Sequence, residues 1–259
     1  MHIIAISNRK GGTGKTTVSV NLAAEMAYSG LRVLLIDLDS QGHCAVGLGL
    51  KLQKGEPCSH QLFVEPAISL SATIHSTLVD NLWLSPADPL FDHGSGQRDD
   101  QRLKRAIQDE ALHERFDLIL IDTPPSLDAL LFNGLQAATR VLIPYVPHPL
   151  SFEGVRQLVR VLFKVMTREN RELKILGFLP NMVAEHVRQH RQVNSEVGRQ
   201  FGAQRVLPGI RNDIRLAEAF AAGKPIRAYA PGCRGALDFL ELAKEIREGL
   251  NGTATRPVI

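Results

Sequence analysis

Short apolar segments alternate with longer amphipathic ones along the 259-residue chain. The short segments are rich in Ile, Val and Leu, which is typical of strands buried on both faces of a sheet. They cover residues 2–7, 32–36, 118–121, 141–146 and 173–179. Segments of helical periodicity cover residues 16–29, 102–113, 127–138, 153–168, 189–201 and 236–250. This alternation predicts an α/β fold, with a mostly parallel, twisted sheet covered by helices on both faces.

The last predicted helix has an apolar stripe of its own. Within residues 236–250, the stripe consists of Leu237, Leu240, Ala243 and Ile246. Because an amphipathic helix buries its apolar side, we expect this stripe to pack on the core.

Residues 50–100 follow neither period. They contain four prolines and the turn-forming sequence Gly94-Ser95-Gly96. The pattern there favours a short helix, an edge strand at Leu82–Ser85 and exposed loops. No stretch looks like a linker and no internal repeat is present, so we expect a single domain over residues 1–259.

Composition narrows the class of protein. The chain is 44% hydrophobic and 22% charged, which argues against disorder. Its three cysteines are scattered without metal-binding spacing, as is typical of inert thiols in a reducing cytosol. A strand-like segment rather than a basic leader stands at the start, and no uncharged apolar stretch is long enough to span a bilayer. We therefore expect a cytoplasmic protein with neither signal peptide nor transmembrane helix.

Charge is distributed unevenly along the chain. Residues 1–150 carry a net charge of −4, whereas residues 151–259 carry +7. Within residues 186–234 there are nine basic and three acidic side chains. Such a region is either an ordinary solvated surface or a contact surface for a polyanion, and charge alone leaves both open.

The first predicted strand runs into a glycine-rich loop that opens a predicted helix. The loop reads Lys10-Gly11-Gly12-Thr13-Gly14-Lys15-Thr16-Thr17. Glycines let backbone N–H groups turn toward a phosphate, and the positive end of the helix adds to the attraction. The arrangement predicts a P-loop nucleotide hydrolase in which Lys15 contacts the β- and γ-phosphates and Thr16 binds Mg²⁺. The strict Walker A pattern would have glycine at Arg9, so the match is partial.

Aspartates follow two further predicted strands. Asp37 and Asp39 come after one of them and, by alternation, face the same side, while Asp122 follows the apolar segment 118–121. The carboxyl ends of parallel strands face the ligand crevice. We therefore expect the three acids near the phosphates, with Asp122 in the Walker B position and bound to Mg²⁺ through water.

Lys10, directly before Gly-Gly-Thr-Gly-Lys-Thr-Thr, has no role in an ordinary P-loop. With it, the chain resembles the ParA/MinD family of deviant Walker A ATPases, most closely the small Soj-like ParA proteins. The resemblance implies that ATP and Mg²⁺ bind and that Lys10 reaches across a nucleotide-sandwich homodimer, with Gly12 at the contact. It also implies that Asp39 orients the attacking water and that Asp37 supports the Mg²⁺ shell. Lys10, Lys15 and Asp39 are then the catalytic set.

Recognition of the base is implied at two places. Asn181 matches a family asparagine that hydrogen-bonds adenine, so we expect it in the nucleotide site. Arg211 stands where the family has a proline that flanks the base, which is a departure from the family pattern.

The resemblance also implies binding of DNA without sequence preference, which requires cations facing phosphates. Arg215 matches a DNA-contacting arginine of Soj-like proteins. Another such arginine falls at His186, with Arg188 and Arg191 in reach. For Arg215 the alternative is a salt bridge to Glu218, three residues on.

The function implied is that of a ParA-type partition ATPase, associated with the nucleoid and activated by a ParB-like partner. One alternative is a MinD-like membrane ATPase, but the chain from residue 245 onward is partly acidic and not amphipathic, so we expect no membrane binding. Another alternative is an orphan relative that positions a different cargo. A metabolic P-loop ligase is disfavoured, because the chain has no cysteine pair for a cluster.

Overall fold

The computed structural model describes residues 1–53, 55–91, 99–184 and 186–250. Seven strands of these residues form one sheet in the order β3-β4-β2-β5-β1-β6-β7, where only the β3–β4 pair is antiparallel. The strands are β1 His2–Ile6, β2 Val33–Asp37, β3 His75–Ser76, β4 Leu82–Ser85, β5 Leu118–Asp122, β6 Arg140–Tyr145 and β7 Lys174–Pro180. The predicted mostly parallel sheet is confirmed. β4 has the predicted bounds, but the prediction that it is an edge strand is wrong, because β3 pairs with its outer side.

Ten α-helices of the described chain surround the sheet. They are α1 Lys15–Tyr28, α2 His43–Gly47, α3 Arg102–Asp109, α4 Leu112–Arg115, α5 Ala129–Ala137, α6 Pro149–Lys164, α7 Arg188–Phe201, α8 Ile214–Ala221, α9 Ile226–Tyr229 and α10 Arg234–Leu250. The helix predicted over residues 102–113 is wrong in one respect. Ala111 adopts a positive φ of 49°, which divides that segment into α3 and α4.

Alternation along the central strands produces two cores. Every residue of β2 and β5 is buried. On β2, Leu34 and Ile36 join the core on one face of the sheet, while Val33 and Leu35 join the core on the other. The apolar residues of α3, α5 and α6 complete the first core, and those of α1 and α10 complete the second. Strands buried on both faces therefore need the continuous apolar runs seen in the sequence.

The buried face of the last helix is rotated slightly about the helix axis from the apolar stripe predicted for it, so the prediction is wrong in part. Leu237 is 51% exposed, whereas Phe239 is fully buried and packs with Leu242 and Ile246 in the core. A helix with apolar side chains on more than one flank has several possible inward faces. The bulk of Phe239 and the surface of α1, on which α10 packs, select this one.

The irregular segment is more buried than predicted. Two 3-10 turns, Ser59–Phe63 and Leu70–Thr73, replace the expected short helix. Leu62, Phe63 and Leu70 enter the core, so the segment is a packed cover over the sheet rather than a set of exposed loops. The Gly94-Ser95-Gly96 turn lies outside the described residues. Across the described residues, no helix is both long and apolar enough to traverse a bilayer.

A close backbone contact joins the end of α2 to the turn before α9. A Cβ atom on Gly223 would lie 2.7 Å from the Cα atom of Gly49, and Gly223 has a φ of +64°. An L side chain at this position would therefore meet rigid backbone and adopt a strained conformation.

We expect Gly223→Ala to lower the free energy of unfolding by about 2 kcal/mol or more, because both the clash and the positive φ oppose a Cβ. Gly154→Ala is the matched control. Gly154 lies within α6 and a Cβ there would have no neighbour within 4 Å, so alanine should stabilise by about 0.5–1 kcal/mol. Urea unfolding monitored by circular dichroism measures both, and equal stabilities would contradict the clash.

Candidate nucleotide-binding site

The candidate site lies where β1, β2 and β5 end. Strand register pairs Ile6 with Asp122, and Asp37 with Asp122. The loop after β1 and the carboxylates after β2 and β5 therefore meet at the same edge of the sheet. This is the edge at which open parallel sheets bind ligands.

The loop between β1 and α1 is held from both sides. Asn8 Nδ2 donates to the Pro144 carbonyl at 2.7 Å, and the Lys10 N–H donates to Asn8 Oδ1 at 3.0 Å. Gly14 is the N-cap of α1 with a φ of 79°, and no side chain caps the helix. The first N–H groups of this 14-residue helix thus lack a side-chain acceptor, which suits them to an anion.

Asn181 braces this loop from behind. Its Nδ2 donates to the Thr13 carbonyl at 2.8 Å, and its Oδ1 accepts from the Met182 N–H at 3.0 Å. A Cβ atom on Gly14 would approach Asn181 Nδ2 to 2.2 Å, so this close packing requires glycine. The structure brings Asn181 to the cleft, as expected, and its contact with adenine stays a prediction.

Asp122 connects the sheet to α1. Its carboxylate accepts from Thr16 Oγ1 at 2.7 Å and from Ser19 Oγ at 2.9 Å. Burial raises the pKa of Asp122, while the Thr16 hydroxyl and the Lys15 ammonium act in the opposite direction. Ser19 was not predicted. Its position one helical turn after Lys15 is the signal that could have found it.

Asp37 organises the loop after β2. Its two carboxylate oxygens accept from the N–H groups of Asp39, at 3.0 Å, and Cys44, at 3.1 Å. Complete burial, followed by repulsion from Asp122, raises the pKa of Asp37 well above its ordinary value. Ser59 Oγ donates to the Asp37 carbonyl at 2.5 Å, so the segment after α2 supports this loop.

The acidic pocket fits a hard divalent cation. Asp37, Cys44 and Asp122 have ligand atoms within 4.8 Å of one another, and both carboxylates are fully buried. A cation would relieve their repulsion, and carboxylate and hydroxyl oxygens are the ligands that Mg²⁺ prefers. Burial raises the pKa of the Cys44 thiol well above its usual value, so it remains protonated. The set that fits Mg²⁺ is therefore Thr16, Asp122 and Asp37, and Mg²⁺ binding by these three residues stays a prediction.

Asp39 lies at the rim of the same cleft and is partly exposed. Its Oδ1 accepts from the Gln41 N–H at 3.1 Å, which directs the carboxylate along the loop. The cleft has a volume of about 600 Å³ and is bordered by the glycine-rich loop on one side and the start of α8 on the other. Those dimensions suit a nucleotide.

The two lysines of the loop point to different sides. Lys15 is buried and lines the large cleft. Lys10 is exposed and lines a second depression of about 300 Å³, where its Nζ lies 3.4 Å from Ser151 Oγ. Gly11 and Gly12 border both spaces, and a Cβ on Gly12 would have no neighbour within 4 Å in this subunit. The expected crowding at Gly12 would thus have to come from a second subunit.

Arg211, which departs from the family pattern, has a definite partner. Its Nη2 donates to Asp238 Oδ1 at 2.6 Å and its backbone N–H donates to Asp238 Oδ2 at 2.8 Å. Asp238 is on α10, so this ion pair ties the far wall of the cleft to the last helix. An arginine therefore fixes here, through charge, a loop that a proline would stiffen covalently.

Comparison with known proteins identifies the family. Residues 1–175 match the family described as AAA domain. The sporulation initiation inhibitor protein Soj of Bacillus subtilis is 40% identical over 249 residues, which is 94% of this chain and 97% of that protein. The chromosome-partitioning ATPase Soj of Thermus thermophilus is 37% identical, over 94% of each chain. The chain belongs to the ParA/MinD family of ATPases.

A solved structure agrees with this family. Cobyrinic acid a,c-diamide synthase from Mycobacterium smegmatis, solved with a bound ATP analog and magnesium, superposes with a TM-score of 0.81 at 28% identity. The superposition covers 100% of this chain and 99% of that one. The predicted P-loop ATPase fold is confirmed, and the expected ligands, ATP and Mg²⁺, match those bound in the solved structure.

The arginines expected at DNA lie on two helices of the ParA-type fold. Arg188 and Arg191 are exposed at the start of α7, beside an open groove of about 830 Å³ that Phe152 also lines. Arg215, on α8, pairs with Asp213 at 3.0 Å rather than with Glu218. Asp213 caps α8, and its carboxylate was the nearer acceptor. DNA contact by these three arginines stays a prediction.

The acid sensitivity of the fold should depend on Asp213. Burial raises the pKa of Asp213, but hydrogen bonds from the Gly235 N–H and from Arg215 outweigh it and bring the pKa to about 2. A carboxyl group with a lowered pKa stabilises the fold above its unfolded pKa of about 4, and this contribution is lost as the pH falls through about 2. We expect Asp213→Asn to lower the free energy of unfolding by about 1–2 kcal/mol at neutral pH.

Urea unfolding across a pH series measures this effect. The difference between the unaltered chain and Asp213→Asn should shrink between about pH 4 and pH 2. Asp109→Asn, at an exposed position on α3, is the control and should change stability by less than about 0.5 kcal/mol. A difference that does not vary with pH would contradict the assigned pKa.

Proposed function

We propose that this chain is a partition ATPase that binds DNA as an ATP-dependent sandwich dimer and leaves it after hydrolysis, with a ParB-like partner as activator. The observation that carries the proposal is that the two lysines of the loop lie in different spaces. Lys15 lies inside the subunit's own cleft, whereas Lys10 is exposed and lines a second depression. A lysine that lines a depression outside its own cleft is available to the phosphates of a second subunit.

The site residues have separate roles in this proposal. Lys15 and the first N–H groups of α1 hold the β- and γ-phosphates, residues 11–17 enclose them, and Lys10 contacts the phosphates of the second subunit. Thr16 and Asp122, supported by Asp37, hold Mg²⁺, which when bound neutralises phosphate charge. Asp39, at the rim of the cleft, orients the water that attacks the γ-phosphorus, displacing ADP from it. Phosphoryl transfer needs mainly such positioning and charge stabilisation.

The charge distribution supports DNA as the surface to which the dimer binds. The second part of the chain, residues 151–259, carries the net charge of +7 and includes Arg188, Arg191 and Arg215. Two subunits together double the number of phosphate contacts, so affinity depends steeply on dimerisation. The names of the Soj relatives, one of which is a chromosome-partitioning ATPase, agree with this use.

The packing of α10 does not favour a MinD-like use of the membrane. Its apolar residues Phe239, Leu242 and Ile246 lie in the core beneath the sheet. A helix that inserts into lipid needs its apolar face free. Residues 251–259, in the part of the chain expected not to be amphipathic, lie outside the described residues.

A binding assay with a labelled duplex tests the proposal. We expect binding with ATP but not with ADP or without nucleotide, because only the dimer presents enough cations. Affinity should fall by about 10³-fold or more between about 50 and 200 mM salt if six or more phosphates are contacted. Fluorescence anisotropy measures both dependences.

Arg215→Glu separates DNA binding from dimerisation. This variant should bind DNA more weakly, while its ATP-dependent dimer still forms in analytical ultracentrifugation. Unchanged DNA binding in this variant would remove Arg215 from the interface. Binding that is the same with ATP and ADP would contradict the nucleotide switch itself.

Asp39→Ala should separate DNA binding from DNA release. Without the carboxylate at the rim of the cleft, we expect ATP hydrolysis to slow by about 100-fold or more, since a positioned acid–base group contributes at least that much. The ATP-bound dimer should then stay on DNA, as measured by dissociation after dilution. Asp109→Ala is the matched control, and a loss of DNA binding in Asp39→Ala would contradict the switch.

A further inference from the structure

Basic side chains occur at every fourth position of α6 and the turn that follows it. They are Arg156, Arg160, Lys164 and Arg168. Arg156 pairs with Glu153 at 3.4 Å, whereas the other three are exposed and make no hydrogen bond or ion pair with any described residue. Like charges four residues apart on a helix repel one another. The row is therefore unfavourable unless something neutralises it.

A widened turn keeps the last cation of the row in line. Four residues of an α-helix exceed one turn by about 40°, so a row at this spacing winds around the helix. After α6 the chain forms a π turn at Val165–Glu169, closed by the Asn170 N–H, which donates to the backbone carbonyl five residues earlier at 2.8 Å. The wider turn undoes part of the winding and brings Arg168 back toward the cations before it. Such turns occur frequently at functional sites.

The π turn is anchored to the core rather than free to relax. Asn170 is buried, and its Nδ2 donates to three carbonyl oxygens at the end of α5, those of Leu135, Gln136 and Ala138. Thr167 Oγ1 donates to the Phe163 carbonyl at 2.8 Å and secures the outer side. The row of cations is thus presented by a rigid element.

The chemistry of this face favours a polyanion over a lipid surface. The apolar side of α6, with Val155, Leu158 and Leu162, is buried in the core. A helix that lies on a membrane needs a broad outward apolar face, whereas the exposed large hydrophobic residues described on α6 are Leu150, in its first turn, and Phe163, which is 66% exposed. Arginine and lysine in a row are what a phosphate backbone requires, and arginine can bind each phosphate with two hydrogen bonds.

We propose that Arg160, Lys164 and Arg168 on α6 form a phosphate-binding surface for duplex DNA, in addition to the arginines of α7 and α8. Successive cations lie about 6 Å apart along the helix axis, so they can follow neighbouring phosphates. The inference rests on the proposed function. It also agrees with the position of α6, since Ser151 in its first turn contacts Lys10 and places the helix at the proposed seam between subunits.

The test reverses two charges of the row. Arg160→Glu/Lys164→Glu is compared with Lys51→Glu/Lys104→Glu, which changes the net charge equally but lies outside α6. With ATP and a labelled duplex, we expect the α6 variant to lose about tenfold or more in affinity at about 0.1 M salt. The slope of log affinity against log salt should fall in magnitude by about 3.6, because the dimer loses four phosphate contacts, two in each subunit, and each contributes about 0.9. The control should keep the slope of the unaltered chain.

Thermal unfolding and ATP turnover without DNA verify that both variants are folded. If the charge reversal unfolds the chain, Arg160→Gln/Lys164→Gln replaces it in the assay, because these substitutions remove the charges without reversing them. This variant should reduce the salt slope by a similar amount. Affinity and slope equal to those of the unaltered chain would overturn the α6 surface and leave the proposed function intact. No ATP-dependent DNA binding by the unaltered chain would overturn both. If the α6 variant loses binding to anionic lipid vesicles that the unaltered chain binds, while its DNA binding is unchanged, the proposal that DNA is the ligand of this surface is overturned.

Discussion

Two carboxylates lie buried side by side where β2 and β5 end, and the phosphate end of the cleft is arranged around them. The strand register pairs Asp37 with Asp122, which places both carboxylates at the same edge of the sheet. Each carboxylate is hydrogen-bonded to a different element, Asp122 to α1 and Asp37 to the loop that carries Asp39. Because buried charges without partners are costly, these bonds fix helix and loop relative to the sheet.

The glycine-rich loop between β1 and α1, which lies next to these carboxylates, has two faces that contact different parts of the molecule. One lines the cleft through Lys15, and the other carries Lys10 toward the first turn of α6. The glycine-rich loop is therefore in direct contact with the start of α6. The basic surfaces of α6, α7 and α8 all belong to the positively charged part of the chain, so the proposed DNA contacts would use residues after 150, whereas the proposed dimer contact at Lys10 and Gly12 comes from the beginning of the sequence.

The local pattern of residues was sufficient to predict the structure wherever a single physical requirement acts on consecutive residues. The strands had to be apolar throughout to be buried on both faces, and the glycine-rich loop had to precede a helix to collect N–H groups. The strands, their mostly parallel arrangement and the position of Thr16 and Asp122 at the same site were thus predictable. Residues 59–73 were not, because their burial depends on the surface of the sheet and the loop at Asp37 rather than on any period of their own.

By itself, the sequence determined the α/β class, the phosphate loop and the acids that follow the strands, since each depends on residues close together in the chain. Only the tertiary structure decided which distant groups meet. It paired Arg211 with Asp238 and Arg215 with Asp213, placed Ser19 on Asp122 and turned Phe239 rather than Leu237 into the core. An ion pair or a packed face is chosen by the nearest partner in space. Periodicity and spacing along the chain do not specify that partner.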